Sequence, residues 1–256
     1  MQIKFIGTGS GKTSLKRFHS SILFLCGNYS LLVDTGDGES KALLSQNIPF
    51  STINGILISH LHPDHFSGLG ALIIQMKIED RANPLDIFIH ESLIDNVRDF
   101  IYSSYIFKEK MDFVINYIPY IYDKTYQVEK EFNFIPKPNT HLDAYKIFDR
   151  AGKLSFSCSS FLFSFNNIKL QYTGDIGSIE DIMLFKESAL DILISEISHI
   201  DAAELIKIAI TMKIKKLILT HISDEDEQPL LNILSLARQD NNFQIVAAYD
   251  GLTISA

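Results

Sequence analysis

Short apolar runs bounded by turn residues recur along the whole chain, and few of them are long enough to be helices. Runs over residues 2–6, 20–26 and 29–34 predict three strands, followed by a helix over about 38–47. Gly55-Ile56-Leu57-Ile58-Ser59 reads as a short buried strand, and Leu69, Ala71, Leu72 and Met76 place a helix over about 66–78. A strand at 85–89 and a helix over 91–105 come next, and the stretch 112–135, rich in Ile, Tyr and Phe, reads as β-structure. Strands near 144–149, 153–158, 160–165 and 168–173 are expected to form a meander. A strand at 190–195 leads to an amphipathic helix starting near Asp201, with Leu205, Ile208, Ala209 and Met212 on one face. A strand at 216–220, a helix over 227–239 and closing strands at 244–248 and 252–254 complete the pattern. Strands alternating with helices predict an α/β fold. No repeat or disordered linker interrupts it, so residues 1–256 are expected to form a single domain.

One loop in this pattern carries unusual chemistry. Between the strand ending at Ser59 and the helix beginning near Phe66 lies His60-Leu-His-Pro-Asp-His65. Three imidazoles and a carboxylate so close together make a poor structural segment and a good metal site. Their nitrogens and oxygens suit Zn²⁺ and related divalent ions. Rigid elements on either side can hold such a loop in place. Two adjacent ions need more donors, and other strand ends offer them. Asp175 follows the run Lys169–Gly174, His221 follows Lys216–Thr220, and His141 lies in a Pro/Asn/Thr loop. Each alone has an ordinary reading: Asp175 as a turn carboxylate, either histidine as an exposed loop residue. Beside the histidine cluster, the ligand reading is the stronger one.

These motifs resemble the metallo-β-lactamase superfamily, and within it the ribonuclease Z-like and phosphodiesterase-like branch. The resemblance runs almost end to end: Gly7-Thr-Gly-Ser-Gly11, Ser20-Ser21-Ile22-Leu23, Leu31-Leu-Val-Asp34-Thr-Gly36, the histidine run, Tyr172-Thr-Gly-Asp175, Leu219-Thr-His221 and Asp250-Gly251. It implies an αββα sandwich of two mixed sheets flanked by helices. It also implies a division of labour: His60, His62 and His141 on a first metal, Asp64, His65 and His221 on a second, and Asp175 bridging both. Asp34 resembles the family carboxylate that orients ligand histidines, with a plain turn residue as the alternative. Two divalent ions, Zn²⁺ first and Mn²⁺ or Fe as alternatives, would hold a bridging hydroxide that attacks a phosphodiester, while Asp64 orients the nucleophile. Glu196 and His199 resemble the pair that protonates the leaving group; the alternative is a loop pair capping the next helix. The substrate is expected to be RNA or a smaller phosphodiester, and the resemblance also admits a homodimer.

Composition narrows this picture. Gly9-Ser-Gly11-Lys12-Thr13 looks like the end of a P-loop, but the consensus places a glycine where Ile6 stands, and a β-rich run follows instead of a helix. Lys12, Lys16 and Arg17 are read as solvated or lining a phosphate-accepting rim. The formal net charge is −8, and the basic residues form no long cluster, which argues against tight, extended RNA binding. Residues 104–135 contain no glycine, so no counterpart is found to the flexible glycine- and proline-rich arm that ribonuclease Z uses to grip transfer RNA. Tyr117, Tyr120, Tyr122 and Tyr126 are read as core and hairpin packing rather than a base-stacking platform. No apolar run reaches the ~18 residues that span a bilayer, and residues 1–7 lack a signal peptide's apolar stretch. Cys26 and Cys158 are expected to be reduced core thiols of a cytoplasmic protein. Two other classes stay open: hydrolysis of a thioester, lactone or β-lactam on the same metals, and a non-catalytic binding protein. The complete donor set disfavours the second.

Overall fold

The computed structural model describes residues 1–237 and 243–255. The strands are β1 (Gln2–Gly7), β2 (Ser21–Cys26), β3 (Tyr29–Val33), β4 (Gly55–Leu57), β5 (Leu85–His90), β6 (Ile115–Tyr120) and β7 (Tyr126–Glu129). They continue with β8 (Phe132–Pro138), β9 (Ser159–Phe165), β10 (Ile168–Tyr172), β11 (Ile192–Glu196), β12 (Lys216–Thr220), β13 (Gln244–Ala247) and β14 (Thr253–Ser255). The helices are α1 (Glu39–Ser45), α2 (Pro63–Phe66), α3 (Leu69–Ile78), α4 (Ile94–Ser103), α5 (Ala202–Thr211) and α6 (Glu227–Ala237).

Two compact units divide the chain, and each is built on one mixed sheet. The first comprises Met1–Ile121 with Tyr249–Ala256, and its sheet runs β14-β1-β2-β3-β4-β5-β6. Pairing is antiparallel from β14 to β3 and parallel from β3 to β6. Parallel strands need helical crossovers, and α1, α3 and α4 supply them. Ala42 and Leu43 of α1, Leu69, Leu72, Ile73 and Met76 of α3, and Val97 and Ile101 of α4 pack in one cluster with Leu32, Ile56 and Ile87 of the sheet. Each fully buried Leu, Ile, Val or Met side chain among them contributes about 1.5–3 kcal/mol of burial free energy. Pro63 opens α2 at its first turn, where a missing N–H costs nothing, so the histidine loop runs straight into helix.

The second unit, Tyr122–Ala248, has the order β13-β12-β11-β10-β9-β8-β7. Here β10 to β13 pair in parallel, and β7 to β10 pair antiparallel. Because β8 and β10 both oppose β9, they point the same way as β11 and β12. The C-terminal ends of β8, β10, β11 and β12 therefore lie along one border of the sheet. Leu205 and Ala209 of α5 are buried as the periodicity predicts, and Ile208 and Met212 pack against the same cluster. Asp201 caps α5, its side chain accepting from the Glu204 N–H at 2.8 Å.

Two of the expected strands are not strands. Residues 143–148 form a 3₁₀ helix, and 153–158 have no regular structure. The alternation read there as β found no partner strand: Ile147 and Phe148 are exposed, Lys146 turns back to Asp143 at 2.6 Å, and Leu154 N–H is held by Asp149 at 2.8 Å. A 3₁₀ helix over Ile179–Ser188 was not expected. The helix anticipated over 227–239 is described to Ala237, and its last two expected residues lie outside the described ones. The tyrosines pack as predicted. Tyr120 is fully buried with its hydroxyl on Ile58 O, Tyr122 donates to Cys158 O, and Tyr126 stacks on Phe134.

Candidate metal centre

In the first unit the donors follow β4. His60 and His65 are fully buried, His62 is half-buried, and their rings cluster, with centroids 4.8 Å apart for His60–His62 and 4.4 Å for His60–His65. Asp34, the residue after β3, organises them. It is fully buried in the left-handed region at φ 62° and bonds through its own N–H to Leu57 O. Its Oδ1 accepts from Ser59 N–H at 2.8 Å, and its Oδ2 accepts from the Ser59 hydroxyl at 2.9 Å and His65 Nδ1 at 2.8 Å. The Ser59 hydroxyl, spent as a donor on Asp34, accepts from His60 Nδ1 at 3.0 Å. One carboxylate thus fixes two imidazoles, one directly and one through a serine. Both present Nε2 as the lone-pair nitrogen. The glycine turn after β1 runs beside Asp64: a Cβ on Gly11 would sit 3.2 Å from Asp64 Oδ2. Asp250 secures that turn by accepting from Thr8 N–H, Thr8 Oγ1 and Phe18 N–H, while Arg17 donates to the Thr8 hydroxyl. Arg17 is therefore a structural tie, whereas Lys12 and Lys16 are exposed. β2, not a helix, follows the turn, so the P-loop likeness has no structural counterpart.

In the second unit the donors sit at the strand ends just described. Asp175 follows β10 after Gly174 at φ 59°, and His221 follows β12 at φ 57°. A left-handed residue therefore stands after β3, β10 and β12 alike, and it bends the chain where a ligand or its orienting carboxylate is delivered. Asp175, His141 and His221 are all buried. Asp175 Oδ2 lies 3.8 Å from His141 Nε2, and its Oδ1 lies 3.4 Å from His221 Nε2. The Ser198 hydroxyl donates to His221 O at 2.6 Å and so accepts from His221 Nδ1 at 3.1 Å, leaving Nε2 as the coordinating nitrogen. The His141 loop is tied by Asn139, whose Oδ1 accepts from His141 N–H at 3.2 Å and whose amide donates to Ser160 Oγ and Thr173 O.

These distances suit a metal better than hydrogen bonds. Donors at about 2.0–2.1 Å from one tetrahedral Zn²⁺ stand roughly 3.3–3.5 Å from each other. The Asp175–His221 and Asp175–His141 separations, and His65 Nε2–Asp64 Oδ2 at 3.6 Å in the first unit, lie near that value. In chemical type the residues fit divalent ions, and so do the tautomers of His60, His65 and His221.

Glu196 and His199 form a separate arrangement. Glu196 is buried at the end of β11. Its Oε2 accepts from Ser198 N–H and His199 N–H, and its Oε1 from Ile176 N–H and His199 Nδ1 at 3.0 Å. With both oxygens so engaged, Glu196 has little left for an ion, although donor atoms of Glu196, His199 and His221 gather within 4.8 Å of one another. Nor does Glu196 cap α5, since Asp201 does. It holds the ring of His199, whose side chain is 40% exposed and lies 4.9 Å from the His141 ring. Sequence reasoning missed Ser59, Ser198 and Asn139, and it gave no role to Asp181. The His90 ring bonds the Ser92 hydroxyl, and burial pushes its pKa down.

Comparisons with known proteins bear on the fold and the family. Ribonuclease Z of Saccharolobus islandicus is 28% identical, covering 89% of this chain and 90% of its own length. Ribonuclease Z of Methanocaldococcus jannaschii is 27% identical over 98% of this chain and 95% of its own. Among solved structures, the metallo-β-lactamase fold protein YhfI from Bacillus subtilis superposes with a TM-score of 0.79 at 21% identity, covering 100% of this chain and 99% of that one. The short form of human tRNase Z gives 0.72 at 19%, with 100% and 99% covered. The chain thus shares the metallo-β-lactamase fold, as its motifs implied, and its ribonuclease Z relatives support a metallo-hydrolase. A family model described as "Anti-Pycsar protein Apyc1" matches residues 1–242, and the chain belongs to that family.

Proposed function

We propose that this protein is a dinuclear metal-dependent phosphodiesterase. The observation that carries this reading is the stance of Asp175, whose two oxygens face two different histidine Nε2 atoms, one each. A carboxylate so flanked is suited to bridging two ions. The reading assigns His60, His62 and His141 to one ion and Asp64, His65 and His221 to the other, and it treats the two units as one domain over residues 1–256. Comparisons that cover the full chain support the single domain. Zn²⁺ is the first choice of ion, on ligand type. When bound, the ions supply an activated water near neutral pH and neutralise charge on the phosphate. The chain's own groups do the rest: Asp64 orients the nucleophile, and Asp34 and Ser59 hold the ligand rings. His199, steadied at Nδ1 by Glu196, delivers a proton from Nε2 to the departing oxygen.

The formal charge of −8 favours a small phosphodiester over a long RNA. Two buried free thiols, Cys26 and Cys158, are consistent with a reducing compartment, and we assign the protein to the cytoplasm. Among the described residues, no helix is long and apolar enough to cross a membrane.

The test pairs metal content with hydrolysis of bis(p-nitrophenyl) phosphate and of a 3′-extended transfer RNA precursor. Two ions per chain with diester hydrolysis is the expected result. Precise cleavage of the precursor would replace the small substrate with RNA, and absence of metal and of both activities would overturn the reading. His199→Ala is expected to retain its metals. It should slow a diester with a poorly departing alkoxide at least about tenfold more than one releasing p-nitrophenolate, which needs no proton. Equal slowing of both would remove His199 from the acid role.

A further inference from the structure

Asp181 stands outside every motif that singled out the candidate site, yet it is bonded to two of the ligand loops. It is buried, 4% exposed, in the first turn of the 3₁₀ helix Ile179–Ser188. Its Oδ2 accepts from Thr140 Oγ1 at 2.7 Å, Thr140 N–H at 3.0 Å, Gly177 N–H at 3.1 Å and Ser178 N–H at 3.4 Å. Thr140 immediately precedes His141, and Gly177 and Ser178 follow Asp175. A single oxygen therefore draws together the chain on either side of the His141–Asp175 pair. The closeness is enforced from the other side as well: a Cβ on Gly177 would lie 2.4 Å from Thr140 O. Bonds between a carboxylate and buried N–H and O–H groups are among the strong, geometrically selective ones.

We propose that Asp181 is a positioning residue, which sets the separation of His141 Nε2 and Asp175 Oδ2 and so the affinity for the ion they share. This rests on the metal-centre reading above. Asp181 touches no ion itself and acts through Thr140 and Gly177. The bonds need an acceptor oxygen at one place rather than a negative charge as such, so an amide in the same position can substitute for it.

The experiment measures Zn²⁺ affinity by competition with a chromophoric chelator, alongside the melting of the metal-free proteins. Asp181→Ala is expected to weaken binding of an ion about ten- to hundredfold, whereas Asp181→Asn stays within about threefold of the parent. Thr140→Val, which removes one bond at constant shape, and Gly177→Ala, which pushes the loops apart with every ligand retained, should each weaken binding severalfold. They test the idea even if Asp181→Ala does not fold. Unchanged affinity in Thr140→Val and Gly177→Ala overturns the proposal, as does an Asn variant as impaired as the Ala one. A parent protein that binds no Zn²⁺ fails the metal-centre reading itself, a result distinct from either.

Discussion

Asp34→Asn is expected to bind metal more weakly while keeping most of its stability, and Asp34→Ala to be impaired in both. In the parent, three buried donors converge on this carboxylate: the Ser59 N–H, the Ser59 hydroxyl and His65 Nδ1. Alanine leaves all three without an acceptor, at about 1–3 kcal/mol for each buried group. It also places a β-carbon residue with no polar tip at φ 62°, where Asp and Asn are better tolerated. A loss of at least ~3 kcal/mol follows, read as a shift of the denaturation midpoint of the metal-free protein. Asparagine tolerates the same backbone and keeps one acceptor oxygen for Ser59 N–H. Its amide N–H₂, however, meets His65 Nδ1 as a donor, so the ring must accept there and carry its proton on Nε2. That tautomer cannot ligate. A roughly ten- to hundredfold weaker metal affinity with a near-parental melt is the expected pair of results. An Asn variant with full metal affinity would show that the carboxylate does not set the tautomer.

The second large effect is one of stability against pH. Glu39, at the start of α1, is 1% exposed. Burial, helped by the nearby charges of Asp250 and Asp34 and opposed by the Ser21 hydroxyl, pushes its pKa up from 4.5 to about 8. A carboxyl whose pKa is raised on folding holds its proton more tightly in the native state. The pH-dependent cost of its burial is therefore absent well below pH ~4.5, grows as pH rises to about 8, and levels off above that. Glu39→Gln removes the titration and keeps the shape. The variant should match the parent near pH 5 and exceed it near pH 8 by a few kcal/mol, on the order of 1.4 kcal/mol per pH unit crossed. Urea midpoints at the two pH values are the measurement. A parent–variant gap of the same size at both would mean that Glu39 is not neutral in the native protein.

What could be read from the sequence followed from how local each signal was. The histidine run stands out by itself, Asp175 and His221 at their strand ends only beside it, and Glu196 and His199 fall within one turn of each other. Partnerships made across the sheet left no trace. Asp181 reaches Thr140 across 41 positions, and Asn139 reaches Thr173 across 34. Serines such as Ser59 and Ser198 look like any loop residue until the ring beside them is placed. The 3₁₀ helix after Ser178 did have a local signal, the reciprocal capping box of Ser178 and Asp181, which periodicity alone passes over. The false strands over 144–149 and 153–158 failed for the opposite reason. Alternating apolar residues describe a strand only where another strand lies alongside, and no pairing there joins the sheet of β7 to β13.

The pairing of β14 with β1, Gln2 opposite Ser255, bears on how the protein is made. The unit spanning Tyr122–Ala248 is continuous in sequence, so all of its strands have been synthesised once β13 has left the ribosome. The other unit holds residues translated before it, yet its sheet and the Asp250 clasp on the Thr8 turn need residues translated after it. Its N-terminal strands must therefore wait, partly assembled, through the synthesis of the whole intervening unit, with β1 lacking one neighbour. An open strand edge is a template for another chain. Newly made protein is thus most exposed to aggregation in the interval before residues 249–255 emerge, and a stalled ribosome would prolong that interval.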